Sequence, residues 1–161
     1  MSDLTHSGKT VYLASDHAGF KYRTALNDWL TSEGWKVIDC GPFQYDGKDD
    51  YPELIAPAAR AVANDPQHSC AIVIGGSGQG EAMVANRFPG VRATVYYGGP
   101  DDIIILSRGH NDANVLSLGA RFVNLNETKR VVWDWLHAPF SDETRHRRRT
   151  VALDTVNVTE E

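Results

Sequence analysis

The chain has 161 residues, 42% of them hydrophobic and 23% charged, the balance of an ordinary globular chain long enough to bury a full core. A formal net charge of −5 argues against a general nucleic-acid binder. No apolar run is long enough to span a membrane, and the polar start MSDLTHSGKT lacks the apolar region of a secretory signal, so the expected compartment is the cytoplasm.

One domain over residues 1–161 is expected, with residues 1–9 as a polar N-terminal extension. Val11–Ser15 reads as a first strand. A helix follows from Phe20 to Ser32, with Leu26, Trp29 and Leu30 at helical spacing and Gly34 as its stop. Lys36–Cys40 is a second strand and 41–50 a polar loop. Tyr51-Pro52 opens a helix to about Asn64. Cys70–Ile74, continuously apolar, is a third strand, and Gln79–Arg87 a helix broken by Pro89-Gly90. Val91–Tyr97 is a fourth strand. Pro100–Arg108 is a helix whose Ile103–Leu106 core is more apolar than one sheet face requires, which predicts a partner on its outer side. Asn114–Leu118 is a fifth strand, and Glu127–His137 a helix with Val131, Val132, Trp135 and Leu136 inward. Residues 142–156 form a last, very basic helix. Cys40 and Cys70 sit at edges of apolar runs and are expected to be buried free thiols, with no metal-ligand spacing around them.

Strands and helices alternating at this spacing imply an α/β fold, a Rossmann-like doubly wound sheet of five parallel strands flanked by helices. Ligands in such folds gather beyond the C-terminal ends of the strands. That rule selects Ser15-Asp16-His17, the run from Gly75 to Glu81, the segment from Gly98 onward, and Gly119-Ala120-Arg121. Asp16 and His17 suit proton transfer near neutral pH, or Asp16 caps the helix and His17 is incidental. The turn Gly75-Gly-Ser-Gly-Gln-Gly80 is neither a Walker P-loop nor a dinucleotide fingerprint. Its glycines let backbone N–H groups converge on an anionic or electron-rich ligand; the alternative is a tight turn with no ligand. Glu81 is either a first-turn acid complementing the helix dipole or a proton-transfer group beside an oxyanion site. His110-Asn111-Asp112 precedes the fifth strand, so it belongs at the opposite edge of the sheet. It is a polar turn, or it reaches a site in a neighbouring chain. Arg145 and Arg149, four apart, share a helix face that suits a phosphate, with a solvated basic face or a nucleic-acid patch as the other readings.

Together these motifs resemble the ribose-5-phosphate isomerase type B family, which includes the galactose-6-phosphate isomerase subunits. The resemblance runs from Val11 to about Val156. It is carried in order by Ser15-Asp-His-Ala-Gly19, Asp49-Asp-Tyr-Pro52, Gly75–Glu81 with Ala85-Asn86, Arg108-Gly-His-Asn111, and Arg145-His-Arg-Arg-Arg149. It implies a homodimer with active sites at the subunit interface, possibly paired into a tetramer. It also implies an aldose–ketose isomerase of phosphorylated sugars, without cofactor or metal, most simply acting on ribose 5-phosphate and ribulose 5-phosphate. One branch of the family uses a cysteine base at the end of the third strand. Gly75 stands there in this chain, so the resemblance is to the branch with a glutamate at Glu81.

By the same resemblance, Asp16 and His110 of the second subunit open the sugar ring, and Ser77 helps to position the substrate. His17, Arg145, Arg149 and an Arg121 from the partner chain hold the phosphate. Tyr51 and Asn111 line the sugar pocket, and backbone N–H groups over Gly76, Gly78, Gln79 and Gly80 face the developing oxyanion. The segment Tyr96–Pro100 departs from the family pattern, which leaves sugar length open: a four- or six-carbon phosphate such as allose or galactose 6-phosphate is the sibling reading. A non-catalytic sugar-phosphate sensor would need the arginines but not Glu81 with Asp16 and His110.

Overall fold

The computed structural model describes residues 8–156. Five strands form one all-parallel sheet: β1 (Thr10–Ser15), β2 (Lys36–Asp39), β3 (Ser69–Gly75), β4 (Ala93–Tyr96) and β5 (Val115–Gly119), in the order β2-β1-β3-β5-β4. Six helices accompany them: α1 (Phe20–Ser32), α2 (Tyr51–Asn64), α3 (Gln79–Ala85), α4 (Asp102–Gly109), α5 (Leu125–His137) and α6 (Thr144–Thr155). The predicted Rossmann-like sheet is present.

Every residue of β3 and β5 is buried, as expected of central parallel strands covered on both faces. Alternation along the strands splits the core into two layers. On one face Val11, Leu13, Ile72, Ile74, Leu116 and Leu118 pack against Leu26 and Leu30 of α1, Ile104 of α4, and Val131, Val132 and Trp135 of α5. On the other, Ala14, Ala71, Val73 and Val115 pack against Ile55, Ala58, Ala59 and Val62 of α2 and Ala85 of α3. Small alanines on this second face bring α2 close to the strands. Among the described residues no helix is long and apolar enough to cross a membrane.

Several boundaries differ from the sequence expectation because side chains intervene. The fourth strand starts at Ala93, not Val91, since Asn114 accepts from the Arg92 N–H at 2.7 Å and donates to the Gly90 carbonyl at 2.9 Å, holding that segment as a turn. For the same reason β5 starts after Asn114. Helix α3 ends at Ala85, where Asn86 exchanges two hydrogen bonds with the backbone of Ala93, at 3.2 and 2.8 Å. The last helix starts at Thr144, not at residue 142, because Asp142 has a left-handed φ of 55°. Cys70 is buried as expected, but Cys40 is only half-buried; both are free.

A buried cation braces the first crossover. Arg23 is 2% exposed, and its guanidinium donates to Ser15 Oγ at 3.0 Å, to the Asp39 carboxylate and to the Pro42 carbonyl. The arginine is therefore fully paired where it is desolvated. It ties the end of β1 to the loop after β2, the two segments that carry Asp16 and Asp49.

Candidate active site

The chain leaves β1 toward β2 on one side and returns to β3 on the other, so a crevice opens between the C-terminal ends of β1 and β3. Asp16 and His17 follow β1, the glycine turn follows β3, Arg121 follows β5, and Asp49 of the 41–50 loop and Tyr51 at the start of α2 reach over. Asp16 is 7% exposed, and its Oδ1 accepts from the N–H groups of Ala18 at 2.8 Å and Gly19 at 3.1 Å. The helix cap itself is Gly19, so Asp16 orders the turn ahead of α1 rather than capping it. A Cβ on Gly19 would lie 2.3 Å from the Ile74 carbonyl oxygen, which shows how tightly this turn is pressed onto the end of β3.

The glycine turn is bound to β5 beyond the end of the sheet. Ala120 N–H donates to the Gly75 carbonyl at 2.9 Å and Arg121 N–H to that of Gly76 at 3.1 Å. Ser117 Oγ, fully buried, donates to the Gly78 carbonyl at 2.6 Å. Gly78 has φ 77°, a left-handed conformation that carries the chain into α3 and favours glycine. Among the described residues the N–H groups of Ser77 and Gly78 have no protein partner, leaving two donors open beyond the strand ends. We expect Ser117→Ala to remove the anchor and leave the Gly78 carbonyl unpaired, at a cost of about 1–3 kcal/mol. In a protein this size each kcal/mol lowers Tm by about 2–4 °C, measurable by thermal denaturation.

Glu81 lies in the first turn of α3 and is 4% exposed. A Cβ on Gly75 would stand 1.9 Å from its Oε1 and 2.1 Å from its Cδ, so the carboxylate occupies the space that any side chain at position 75 would need. Burial pushes the Glu81 carboxyl above the usual carboxylate range. The Asp16 carboxylate beside it adds to the rise, while Glu81's own backbone N–H opposes it. Glu81 is thus a first-turn acid of α3 and a desolvated carboxylate packed against Gly75.

His17 is held by Asp49, whose Oδ1 accepts from the His17 N–H at 3.1 Å and lies 2.6 Å from Nδ1. Tyr51 lies against the turn, since a Cβ on Gly80 would be 2.6 Å from its Cζ. Arg121 covers Gly76, with Nη1 3.0 Å from where a Cβ would stand, and its charge acts on His17. Within one chain, β5 lies beside β3, so Arg121 sits over the glycine turn of its own subunit. Asp16, His17 and Asp49 each place one donor atom within 4.8 Å of the others, the spacing a metal ion would need. Asp16 Oδ1, Asp49 Oδ1 and His17 Nδ1 are engaged in hydrogen bonds, the first with backbone amides and the other two with each other.

His110, Asn111, Arg145 and Arg149 are not brought to this crevice. His110 caps the end of α4, before β5, at the opposite edge of the sheet. There its ring stacks on that of His146, centroids 4.2 Å apart, and His146 Nδ1 lies 2.7 Å from Ser141 Oγ. His146 is buried although its helix is otherwise exposed. Arg145 pairs with Glu143 at 3.0 Å, and Arg147 pairs with Asp142. Asn111 lines a 510 Å³ cavity at the same edge with Asn86, Arg92, Leu153 and Asp154, apart from Asp16 and Glu81. Met83, Ile103, Ile105 and Leu106 are exposed, with Ile104 the inward residue of α4.

Sequence reasoning quoted Asp49 as part of a motif but gave it no role. Its contact with His17 spans 32 positions and leaves no local signal. Ser117 sits unremarked inside a buried strand, where a lone hydroxyl between leucines was the available clue.

The model of the family described as ribose/galactose isomerase matches residues 11–153. The chain belongs to that family. A ribose-5-phosphate isomerase B of Mycolicibacterium paratuberculosis is 40% identical over 139 residues, covering 86% of each chain. The Mycobacterium tuberculosis protein of the same name is 38% identical over 143 residues, 89% of this chain and 86% of its own. Among solved structures, the Mycoplasma genitalium ribose-5-phosphate isomerase B with bound ribulose-5-phosphate superposes with a TM-score of 0.90. It is 32% identical over 96% of this chain and 100% of that one. All of the motifs, at both edges of the sheet, lie within the matched region.

Proposed function

We propose that this chain is an aldose–ketose isomerase that interconverts ribose 5-phosphate and ribulose 5-phosphate, with Glu81 as the base. The observation that carries the reading is the carboxylate of Glu81, desolvated against Gly75 at the end of β3, in the same strand-to-helix turn as the unpaired N–H groups of Ser77 and Gly78. A relative named for the reaction, and a neighbour solved with ribulose-5-phosphate, supply the substrate class.

The open-chain aldose carries a carbonyl at C1 and a hydroxyl at C2. The Glu81 carboxylate removes the C2 proton, and the electron pair of that C–H bond forms the C1–C2 double bond as the C1 carbonyl becomes an enediolate oxygen. The glycine-turn N–H groups stabilise that oxygen. Proton transfer between the two oxygens leaves the negative charge on O2. Glu81 then returns its proton to C1 as the O2 carbonyl forms, giving the ketose. A base raised above the usual carboxylate range by burial is better matched to carbon acids near neutral pH than an exposed glutamate. Asp16 and His110 of a second subunit open the sugar ring. His17 and Arg121 meet the substrate from the same subunit as Glu81, and Arg145 and Arg149 hold the phosphate from the second. Tyr51 and Asn111 line the sugar.

The homodimer follows from this division of labour, because one chain places Glu81 and His110 at opposite edges of its sheet. We assign the enzyme to the cytoplasm, where pentose phosphates are metabolised. The test is turnover in mixed dimers. Wild-type protein should convert ribose 5-phosphate, and neither Glu81→Gln nor His110→Ala alone should do so. Unfolding and refolding the two variants together should restore about a quarter of wild-type activity, since only one site in each mixed isologous dimer is intact. No turnover by the wild type sinks the reaction, and no restoration on mixing sinks the shared site.

A further inference from the structure

We propose that Asp49 is a positioning residue for substrate binding, clamping His17 by backbone and ring so that the imidazole presents Nε2 to the phosphorylated sugar as a cationic donor. The inference rests on the isomerase reading for what fills the pocket, but not for what Asp49 does to His17.

The clamp is geometric. One oxygen, Asp49 Oδ1, takes both the His17 backbone N–H at 3.1 Å and the ring Nδ1 at 2.6 Å. A carboxylate accepts only, so the Nδ1 proton is fixed on that nitrogen. Nε2 is then the ring atom left without a protein partner among the described residues. The other oxygen, Oδ2, is buried and has no hydrogen-bond partner among the described residues. With water excluded from that oxygen, the charge of Asp49 is compensated chiefly through the imidazole.

The groups facing His17 from each side are few. Asp49 comes from the 41–50 loop, as does the Tyr45 ring, edge-on at 6.5 Å. Asp16 is its chain neighbour, with Glu81 behind it, and Arg121 comes from beyond β5. Asp49's hydrogen bond holds the His17 imidazolium above its ordinary range and Asp16 adds to that, while burial and Arg121 pull the other way. Arg121 therefore needs a counterweight if His17 is to stay cationic beside it, and Asp49 supplies it. The consequence is an anion-binding pair in which Asp49 favours the charged form of His17 beside the Arg121 guanidinium.

Asp49→Asn keeps the shape and removes the charge. In the free protein, the His17 ring followed by nitrogen-15 NMR should titrate above 6.5 in the wild type and lower in the variant, which lacks the charge of Asp49. For ribose 5-phosphate, KM of the variant should rise about tenfold near pH 8 and converge on the wild type near pH 5.5, with kcat changed much less. The sign follows from a raised imidazole pKa: binding strength is present below it and lost as pH rises through it, and the variant loses it earlier. Wild-type His17 titrating at or below 6.5 overturns the proposal, and that measurement needs no variant to fold. A KM raised equally at every pH, with the His17 titration unmoved, also overturns it. Wild-type protein that titrates as expected but turns over no sugar phosphate would refute the isomerase reading and leave the clamp standing.

Discussion

Glu81→Gln should lower kcat for ribose 5-phosphate by about 10²–10⁴-fold, the usual range for loss of a positioned general base, while the substrate still binds. The amide has the shape of the carboxylate but cannot accept the C2 proton. The same substitution should make the protein more stable at neutral pH. Burial raises the Glu81 carboxyl in the folded state, so the native protein holds a proton there that the unfolded chain releases. Stability from this group is therefore greatest at acid pH and declines as pH rises from the ordinary glutamate range through the folded value. Glutamine has nothing to ionise, so the variant's Tm should exceed the wild type's by a margin that widens between pH 4 and 8. Thermal denaturation across that range, set beside a coupled assay, reads both effects. A variant with near-normal turnover would remove Glu81 from the mechanism, and a margin that shrinks with pH would contradict its desolvation.

Gly75→Ala tests the same carboxylate from its other side. The new methyl would stand 1.9 Å from Glu81 Oε1, and the atom in its way is the far end of a flexible side chain. The side chain must swing aside, whereas the backbone of β3 need not move. Displacing a reacting group by about an ångström costs on the order of 10²-fold, so turnover should fall at least that far with Tm little changed. Ser117→Ala predicts the reverse weighting, with stability lost first. Comparing kcat and Tm across the two variants separates the position of the base from the anchoring of the turn. Full activity in Gly75→Ala would mean that Glu81 works from another rotamer.

The sheet was readable because its signals are local. Continuous apolar runs at 70–74 and 114–118, with helical periodicity between strands, leave few other arrangements. The motifs that fill the crevice were readable for the same reason, since each strand end is marked by Asp16-His17, by glycines or by Arg121. What the residues alone left open were contacts between distant segments. The buried pairing of Arg23 with Asp39 and Ser15 joins three elements, and Asp49 meets His17 across a long loop. The approach of Arg121 to the glycine turn depends on the neighbour of β3, and that is fixed by strand order. Placing β5 rather than β4 beside β3 is a choice of topology that strand-by-strand periodicity does not encode. His110 was placed correctly at the far edge, because in a parallel sheet anything that precedes a strand lies opposite to whatever follows one.

The hydrogen bonds that lock the glycine turn to β5 determine how this site moves. Ala120 to Gly75, Arg121 to Gly76 and Ser117 to Gly78 extend the pairing of the two most buried strands into the glycine turn. Loops of glycine ordinarily fluctuate on their own, among the least protected parts of a protein. Here the turn cannot open without parting β3 from β5, so its fluctuations belong to the same cooperative unit as the core. In the reaction we propose, little ordering entropy would be left to lose when the enediolate forms, because the turn's N–H donors are held by the sheet itself.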